Sequence, residues 1–276
     1  MMLVRHGETV ANLEQRYHGR RDSPLTERGT AQAQSIGRRL NTLLEAHSVE
    51  IVSSPQPRAS RTAEIIRECF DETVPPVRLD ERLCEVSIGG WEGLSQAEIV
   101  ALTPGTFDGD GRHNWCFCAP DGENYLAFES RLAGWLSEIA DHPALIVVTH
   151  GIVARVLRGL YAAMPRSLSL ALPIPQDRIF RLSDGKIEEI EVQVGLNMPR
   201  IYRVSALPGF MLHVEFDDGL TGTIDVRSQI DSLDDSMFGQ VAINDFGAVC
   251  WPTGEGLGPD MIYNSIRTSD GASKGR

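Results

Sequence analysis

The stretch Ala144-Leu-Ile-Val-Val-Thr149-His150-Gly151 joins five apolar residues to a threonine, a histidine and a glycine. A short apolar run without alternation, closed by glycine, reads as a strand buried on both faces. The chain opens on the same theme, Met1-Met2-Leu3-Val4-Arg5-His6-Gly7-Glu8-Thr9. In an open α/β sheet, ligands bind outside the carboxyl ends of the strands. Two strands that each end on a histidine bring two imidazoles to one crevice, with Arg5 beside the first. A single histidine after a strand is ordinarily structural; a matched pair points to chemistry.

Outward from these two strands, helical and extended segments alternate. Thr26-Glu27-Arg28-Gly29 opens an amphipathic helix with Ala31, Ile36, Leu40, Leu43 and Leu44 at helical spacing. Residues 50–54 predict a second strand, and 57–70, 123–140 and 152–163 predict helices. Residues 73–93 and 102–121 read as irregular. Strands at 178–182 and 186–192 flank Asp184-Gly185, a hairpin signal. This alternation predicts an α/β fold, a mainly parallel sheet flanked by helices on both faces. After Val194 the pattern changes to short strands at 203–207, 211–216, 221–226, 240–244 and 248–251, then a helix around 259–266. A small α+β domain is expected there. The expected division is 1–195, then 196–267, then a disordered tail over 268–276, with the linker at Gly195-Leu-Asn-Met-Pro199.

At 276 residues, 42% hydrophobic and 23% charged, the composition is that of a soluble globular protein. No apolar run approaches the ~20 residues that span a membrane. The opening residues enter a charged motif directly, so no secretory signal and a cytoplasmic location are expected. Cys69, Cys84, Cys116, Cys118 and Cys250 lack metal-finger spacing and read as free thiols. A net charge of −12 without a basic stripe excludes nucleic acid as the main partner. A small anionic substrate remains compatible, because a local arginine cluster can oppose the global field.

Phosphoryl transfer needs cations around the equatorial oxygens, an in-line nucleophile and a proton source for the leaving oxygen. Arg5 and His6 follow the first strand. Ser53-Ser54-Pro55-Gln56-Pro57-Arg58-Ala59-Ser60-Arg61-Thr62-Ala63 follows the second and sets Arg58 at a helix start. Glu85 stands in Leu83-Cys84-Glu85-Val86-Ser87-Ile88-Gly89-Gly90-Trp91-Glu92-Gly93, and His150 ends the central strand. Neutral imidazole is a good nucleophile near pH 7. Arginine's planar fork suits phosphate oxygens. One carboxyl can protonate a leaving oxygen and then deprotonate the attacking water. Arg61 could replace Arg58 by geometry, and Glu8, Glu81 and Glu92 are alternative acids. Arg16 is either a loop brace or a substrate contact.

In their order and spacing these boxes resemble the histidine phosphatase superfamily, in its phosphoglycerate-mutase-like branch, over about residues 2–193. The resemblance implies that His6 is the nucleophile and forms a phosphohistidine. It implies that Arg5, Arg58 and His150 hold the phosphoryl group and that Glu85 donates the proton. Asn12, His18, Gly19 and Gly151 fall where relatives meet substrate. No metal or cofactor is called for, and the implied substrate is a small phosphorylated metabolite. Asn124 departs from the Gly-Glu-Ser that often opens the following helix.

Glu85 and His150 lie 65 positions apart, short of the insertion with which the cofactor-dependent mutases cover their substrate. A mutase must exclude water and a hydrolase must admit it, so the reading is a phosphomonoester hydrolase. The alternatives are mutase-type phosphoryl transfer and a catalytically silent module that binds phosphate ligands. The C-terminal segment resembles domain of unknown function 2442, through Leu207-Pro208-Gly209-Phe210, Phe216-Asp217-Asp218-Gly219, Trp251-Pro252 and Pro259-Asp260-Met261-Ile262-Tyr263. Its Phe210, Phe216, Phe238, Trp251 and Tyr263 exceed the expected needs of a small core, which predicts self-association or docking of a protein partner. Asp108-Gly-Asp110-Gly-Arg112, Cys116-Phe-Cys118 and Gly254-Glu-Gly256-Leu-Gly258 lack the ligand positions of metal or dinucleotide motifs.

Overall fold

The structure is a computed structural model that describes residues 1–44, 49–109, 111–139, 144–194, 200–230, 233–244, 247–259, 261–263 and 265–266. The described residues fall into two compact units. The first holds 1–11, 17–94 and 98–194; the second holds 12–16, 95–97 and the described residues from 200 onward. The expected linker at 195–199 and the expected tail at 268–276 lie outside the described residues.

In the first unit the strands are β1 (Met2–Arg5), β2 (Glu50–Ser53), β3 (Arg78–Leu79), β4 (Leu145–Thr149), β5 (Arg178–Ser183) and β6 (Lys186–Glu191). They form one sheet in the order β3-β2-β4-β1-β5-β6. The first four run parallel, and β5 and β6 close the sheet antiparallel. Asp184 and Gly185 both take positive φ, 51° and 70°, as the hairpin signal requires. The helices in chain order are α1 (Val10–Leu13), α2 (Glu27–Leu43), α3 (Pro57–Arg67), α4 (Gln96–Leu102), α5 (Gly111–Asn114), α6 (Tyr125–Glu138), α7 (Gly151–Tyr161) and α8 (Arg166–Leu170).

Successive strand residues point to opposite faces, and both faces here are covered. Leu3, Val52, Leu145 and Val147 pack with Phe128, Leu132 and Trp135 of α6 and with Val153, Val156 and Leu157 of α7. Met2, Val4, Ile51, Ile146 and Val148 pack with Ile36 and Leu40 of α2 and with Ala59, Ala63 and Ile66 of α3. Double burial explains why β1 and β4 read as continuous apolar runs. Thr26 caps α2 through its side chain, and Asn124 caps α6 by accepting from the Ala127 amide at 3.0 Å. Asn124 therefore does what a serine would do at that position.

Several sequence expectations need correction. Residues 68–70 do not continue α3, and the predicted helix over 123–140 begins at Tyr125 and ends at Glu138. The stretch at 73–93, read as irregular, supplies the two-residue edge strand β3. The short helix α8 was not anticipated.

The second unit carries two three-stranded antiparallel sheets, β7 (Ile201–Leu207), β8 (Met211–Phe216) and β9 (Thr221–Asp225), and β10 (Ala242–Ile243), β11 (Val249–Cys250) and β12 (Gly256–Leu257). A short helix, α9, spans Asp235–Phe238. The glycine-rich stretch 254–258 supplies β12. Phe216, Phe238 and Trp251 are buried in this unit's own core, and Phe210 and Tyr263 pack against it. Phe210 and Tyr263 are only partly buried.

Candidate active site

β1 and β4 pair with Arg5 opposite Thr149, so the residues that follow leave the sheet side by side. The His6 amide donates to the Thr149 carbonyl at 2.8 Å. The His6 and His150 rings meet edge to face with centroids 5.2 Å apart. On the other side of β4, the Ser54 amide donates to the Val148 carbonyl at 3.1 Å. Its hydroxyl lies 2.8 Å from His150 Nε2.

The hydrogen bonds assign the tautomer of His6. Nδ1 is 2.7 Å from the Gly7 carbonyl, which can only accept, so Nδ1 carries the proton. Nε2 is left with its lone pair and receives the Nε–H of Arg58 at 3.3 Å. Burial, then Arg58 and Arg5, push the His6 imidazole well below its ordinary pKa. His150 is lowered for the same leading reason, with Arg58, His6, Arg5 and Arg20 adding to burial. His150 Nδ1 is buried and has no hydrogen-bond partner among the described residues. If the Ser54 hydroxyl donates to Nε2, Nδ1 carries a proton for an incoming acceptor.

Arg58 enters from the first turn of α3, where Pro57 starts the helix at no hydrogen-bond cost. Its guanidinium donates to the carbonyls of Arg21 at 2.7 Å and Gly19 at 2.8 Å. Burial lowers its pKa, while Glu85 and Asp22 oppose the shift. Arg5 donates to the Ile174 carbonyl at 2.6 Å, and burial brings it down to about 10 against the pull of Glu85. The Glu85 carboxylate accepts from the amides of Val86 at 3.0 Å and Ile152 at 3.1 Å, the latter in the first turn of α7. A helix N-terminus favours an anion there.

The frame around His6 is backbone on backbone. A Cβ on Gly7 would collide with the Gly29 carbonyl, and a Cβ on Gly29 with the Glu8 carbonyl. The Gly7 amide donates to Thr62 Oγ1 at 3.1 Å, and that hydroxyl donates to the Arg58 carbonyl at 2.7 Å. The histidine loop and the arginine helix are therefore fixed to each other.

Two buried arginines, two neutral imidazoles and one carboxylate thus surround one crevice at the ends of β1, β4 and β2. The profile of the histidine phosphatase superfamily (branch 1) matches residues 1–185. The chain belongs to this superfamily. Residues 201–268 match the family described as protein of unknown function (DUF2442). A probable phosphoglycerate mutase of Citrobacter koseri is 34% identical over 208 residues, 70% of this chain and 85% of that protein. Among solved structures, YhfR of Bacillus stearothermophilus is 32% identical with a TM-score of 0.56, covering 70% of this chain and 95% of that one. Mycobacterial glucosyl-3-phosphoglycerate phosphatase, in complex with VO3, is 29% identical with a TM-score of 0.58, covering 70% and 96%.

Within this histidine phosphatase unit the other expected residues take different places. Gly19 has φ +47° and enters the site through its carbonyl, which accepts from Arg58 and, at 3.0 Å, from Gln56 Nε2. Gly151 lies in the first turn of α7; a Cβ there would come within 2.9 Å of Ile174 and 3.8 Å of the Glu85 carboxylate. His18 Nδ1 turns to the Asp22 carbonyl of its own loop at 3.1 Å. Asn12 groups with the second unit. Arg61 is exposed and pairs with Glu64 and Glu68. Glu92 accepts from the amides of Arg20 at 2.9 Å and Arg21 at 3.1 Å, holding the 19–21 loop rather than only its own turn. Glu8 accepts from the Thr26 hydroxyl at 2.9 Å and pairs with Arg28.

Sequence reasoning missed four supporting residues. Ser54 positions His150. Gln56 joins the Gly19 and Arg20 carbonyls to the Glu85 amide, accepting from it at 2.7 Å. Arg131 of α6 donates to the carbonyls of Arg82 and, at 2.8 Å, Cys84, and pairs with Glu123 at 2.7 Å. Gln176 Nε2 donates to the His6 carbonyl at 3.2 Å. Ser54 and Gln56 stood inside a quoted box, but their signal is burial, which a sequence does not print.

Proposed function

We propose that this chain hydrolyses a small phosphomonoester through a phosphohistidine on His6, with Glu85 as proton donor. The observation that carries the reading is the His6 ring, neutral, with Nδ1 tied to the Gly7 carbonyl and Nε2 beside Arg58. In the first step Nε2 attacks phosphorus, the P–O bond to the alcohol breaks, and Glu85 gives its proton to the departing oxygen. In the second, the Glu85 carboxylate takes a proton from water, whose oxygen attacks phosphorus. The P–N bond breaks, His6 recovers its lone pair, and Glu85 is protonated again. Arg5, Arg58 and the free Nδ1 of His150 receive the equatorial oxygens. With that much positive charge supplied by side chains, no step requires a divalent cation.

The test is turnover of p-nitrophenyl phosphate with and without EDTA, together with acid-labile, base-stable phosphate trapped on His6. Activity lost to EDTA and restored by a divalent metal would overturn the metal-independent reading. A second reading, phosphoglycerate mutase chemistry, is favoured by the 34% identical probable mutase of Citrobacter koseri. Interconversion of 2- and 3-phosphoglycerate faster than phosphate release would decide for it.

A further inference from the structure

The stretch Gly254-Glu255-Gly256-Leu257-Gly258, which matches no dinucleotide motif, has a definite place within the second unit. Gly256 and Leu257 form β12, with Gly256 opposite Cys250 of β11 and Leu257 buried in the unit's core. Successive strand residues face opposite sides. Leu257 therefore turns inward, and the glycines beside it present bare backbone to the other side. What they face is read from where a side chain would go. A Cβ on Gly258 would come within 3.0 Å of Leu13 Cδ2, and one on Gly256 within 3.1 Å of Gln15 Nε2 and 3.2 Å of the Val249 carbonyl oxygen. A Cβ on Gly254 would stand 3.8 Å from that of Ala97. Glycine at such positions marks the close approach of another segment.

The segments that approach, 12–16 and 95–97, belong to this same compact unit although they come from far earlier in the chain. A bridge between the backbones of Arg16 and Ser95 joins them to each other. Gln15 has φ +53°, a left-handed conformation that a residue with a long side chain keeps only when its surroundings hold it there. Its backbone amide donates to the Asn12 carbonyl at 3.2 Å and closes the turn after α1, while its side-chain amide lies over Gly256. The turn thus begins at Asn12, six positions after His6. A side chain on Gly256 or Gly258 would push against it.

We propose that the C-terminal segment is a working part of the phosphate site: its glycine strip seats the 12–16 turn and so fixes Asn12 on the substrate side. The proposal rests on the reading of the site given above and on the place of Asn12 that the family resemblance implies.

The test is calorimetric titration of inorganic phosphate into the full chain and its variants. Gly258→Val is expected to weaken phosphate binding about tenfold, and Leu13→Ala alone to change it by less than about threefold. In Gly258→Val/Leu13→Ala the shortened side chain leaves room for the added one. Affinity should then return to within about threefold of the unaltered chain. Should Val impair folding, Gly258→Ala serves in the same cycle, because its Cβ already meets Leu13. Unchanged affinity in the glycine variant, or a loss that Leu13→Ala does not relieve, overturns the proposal. An unaltered chain that binds no phosphate would remove the site reading and this proposal together. One that shows the coupling but leaves p-nitrophenyl phosphate intact would fail the hydrolase reading alone.

Discussion

Ser54 Oγ and His150 Nε2 stand 2.8 Å apart across 96 positions of sequence, joining the end of β2 to the end of β4. This bond fixes the orientation of the His150 ring. In Ser54→Ala the ring is free to rotate or to take the other tautomer. Hydrolysis of p-nitrophenyl phosphate is expected to fall about 10- to 100-fold in kcat, the scale on which outer hydrogen bonds tune a functional histidine. KM should change little. A variant with unaltered kcat would remove Ser54 from the machinery.

Glu85 is expected to matter in proportion to the basicity of the leaving group. In Glu85→Gln an alkyl phosphate should lose about 10²- to 10⁴-fold in the phosphorylation step, the usual range for a general acid. A nitrophenyl ester should lose far less, since nitrophenolate departs without a proton. Equal losses would assign the proton to another group.

Acid should destabilise the protein through its two buried histidines. Both are held neutral when folded, whereas in the unfolded chain each titrates near its ordinary ~6.5. Below that pH the unfolded chain binds protons that the folded one refuses, so stability falls as pH falls. The slope is at most about 1.4 kcal/mol per pH unit for each histidine. Thermal melts between pH 7.5 and 5 should show a smaller drop in Tm for His6→Gln/His150→Gln than for the unaltered chain. Parallel curves would mean that the rings are charged in the fold.

Gln56 links the substrate-side loop to the acid, and Gln56→Leu removes three hydrogen bonds at once. At about 1 kcal/mol each, the loss comes to a few kcal/mol shared between stability and the alignment of Glu85. The prediction is a fall in kcat/KM of at least about tenfold, larger for alkyl than for aryl esters. A uniform effect on both esters would make Gln56 a stability residue only.

What the sequence disclosed follows from where its signals are local. β1 and β4 were legible because both faces are buried, and α2 because Thr26 caps an amphipathic repeat. The His6, Arg58, Glu85 and His150 boxes were legible because each is a contiguous motif at a strand or helix end. Gln56, Arg131 and Gln176 were not, because their roles arise from pairing with backbone groups far away in the chain. A carbonyl belongs to every residue, so no composition marks the one that Gln176 or Arg131 will hold.

The contact of Gly7 with Gly29 also bears on how damage to this protein would look. Gly29 belongs to α2 and offers no side chain to phosphate, and alanine ordinarily strengthens a helix. Here the added methyl would meet the Glu8 carbonyl and force apart α2 and the loop that aims His6. A survey of substitutions that counts only side chains able to handle phosphate would class Gly29 as harmless. The chain would instead record it among the loss-of-function positions, with its helical content intact.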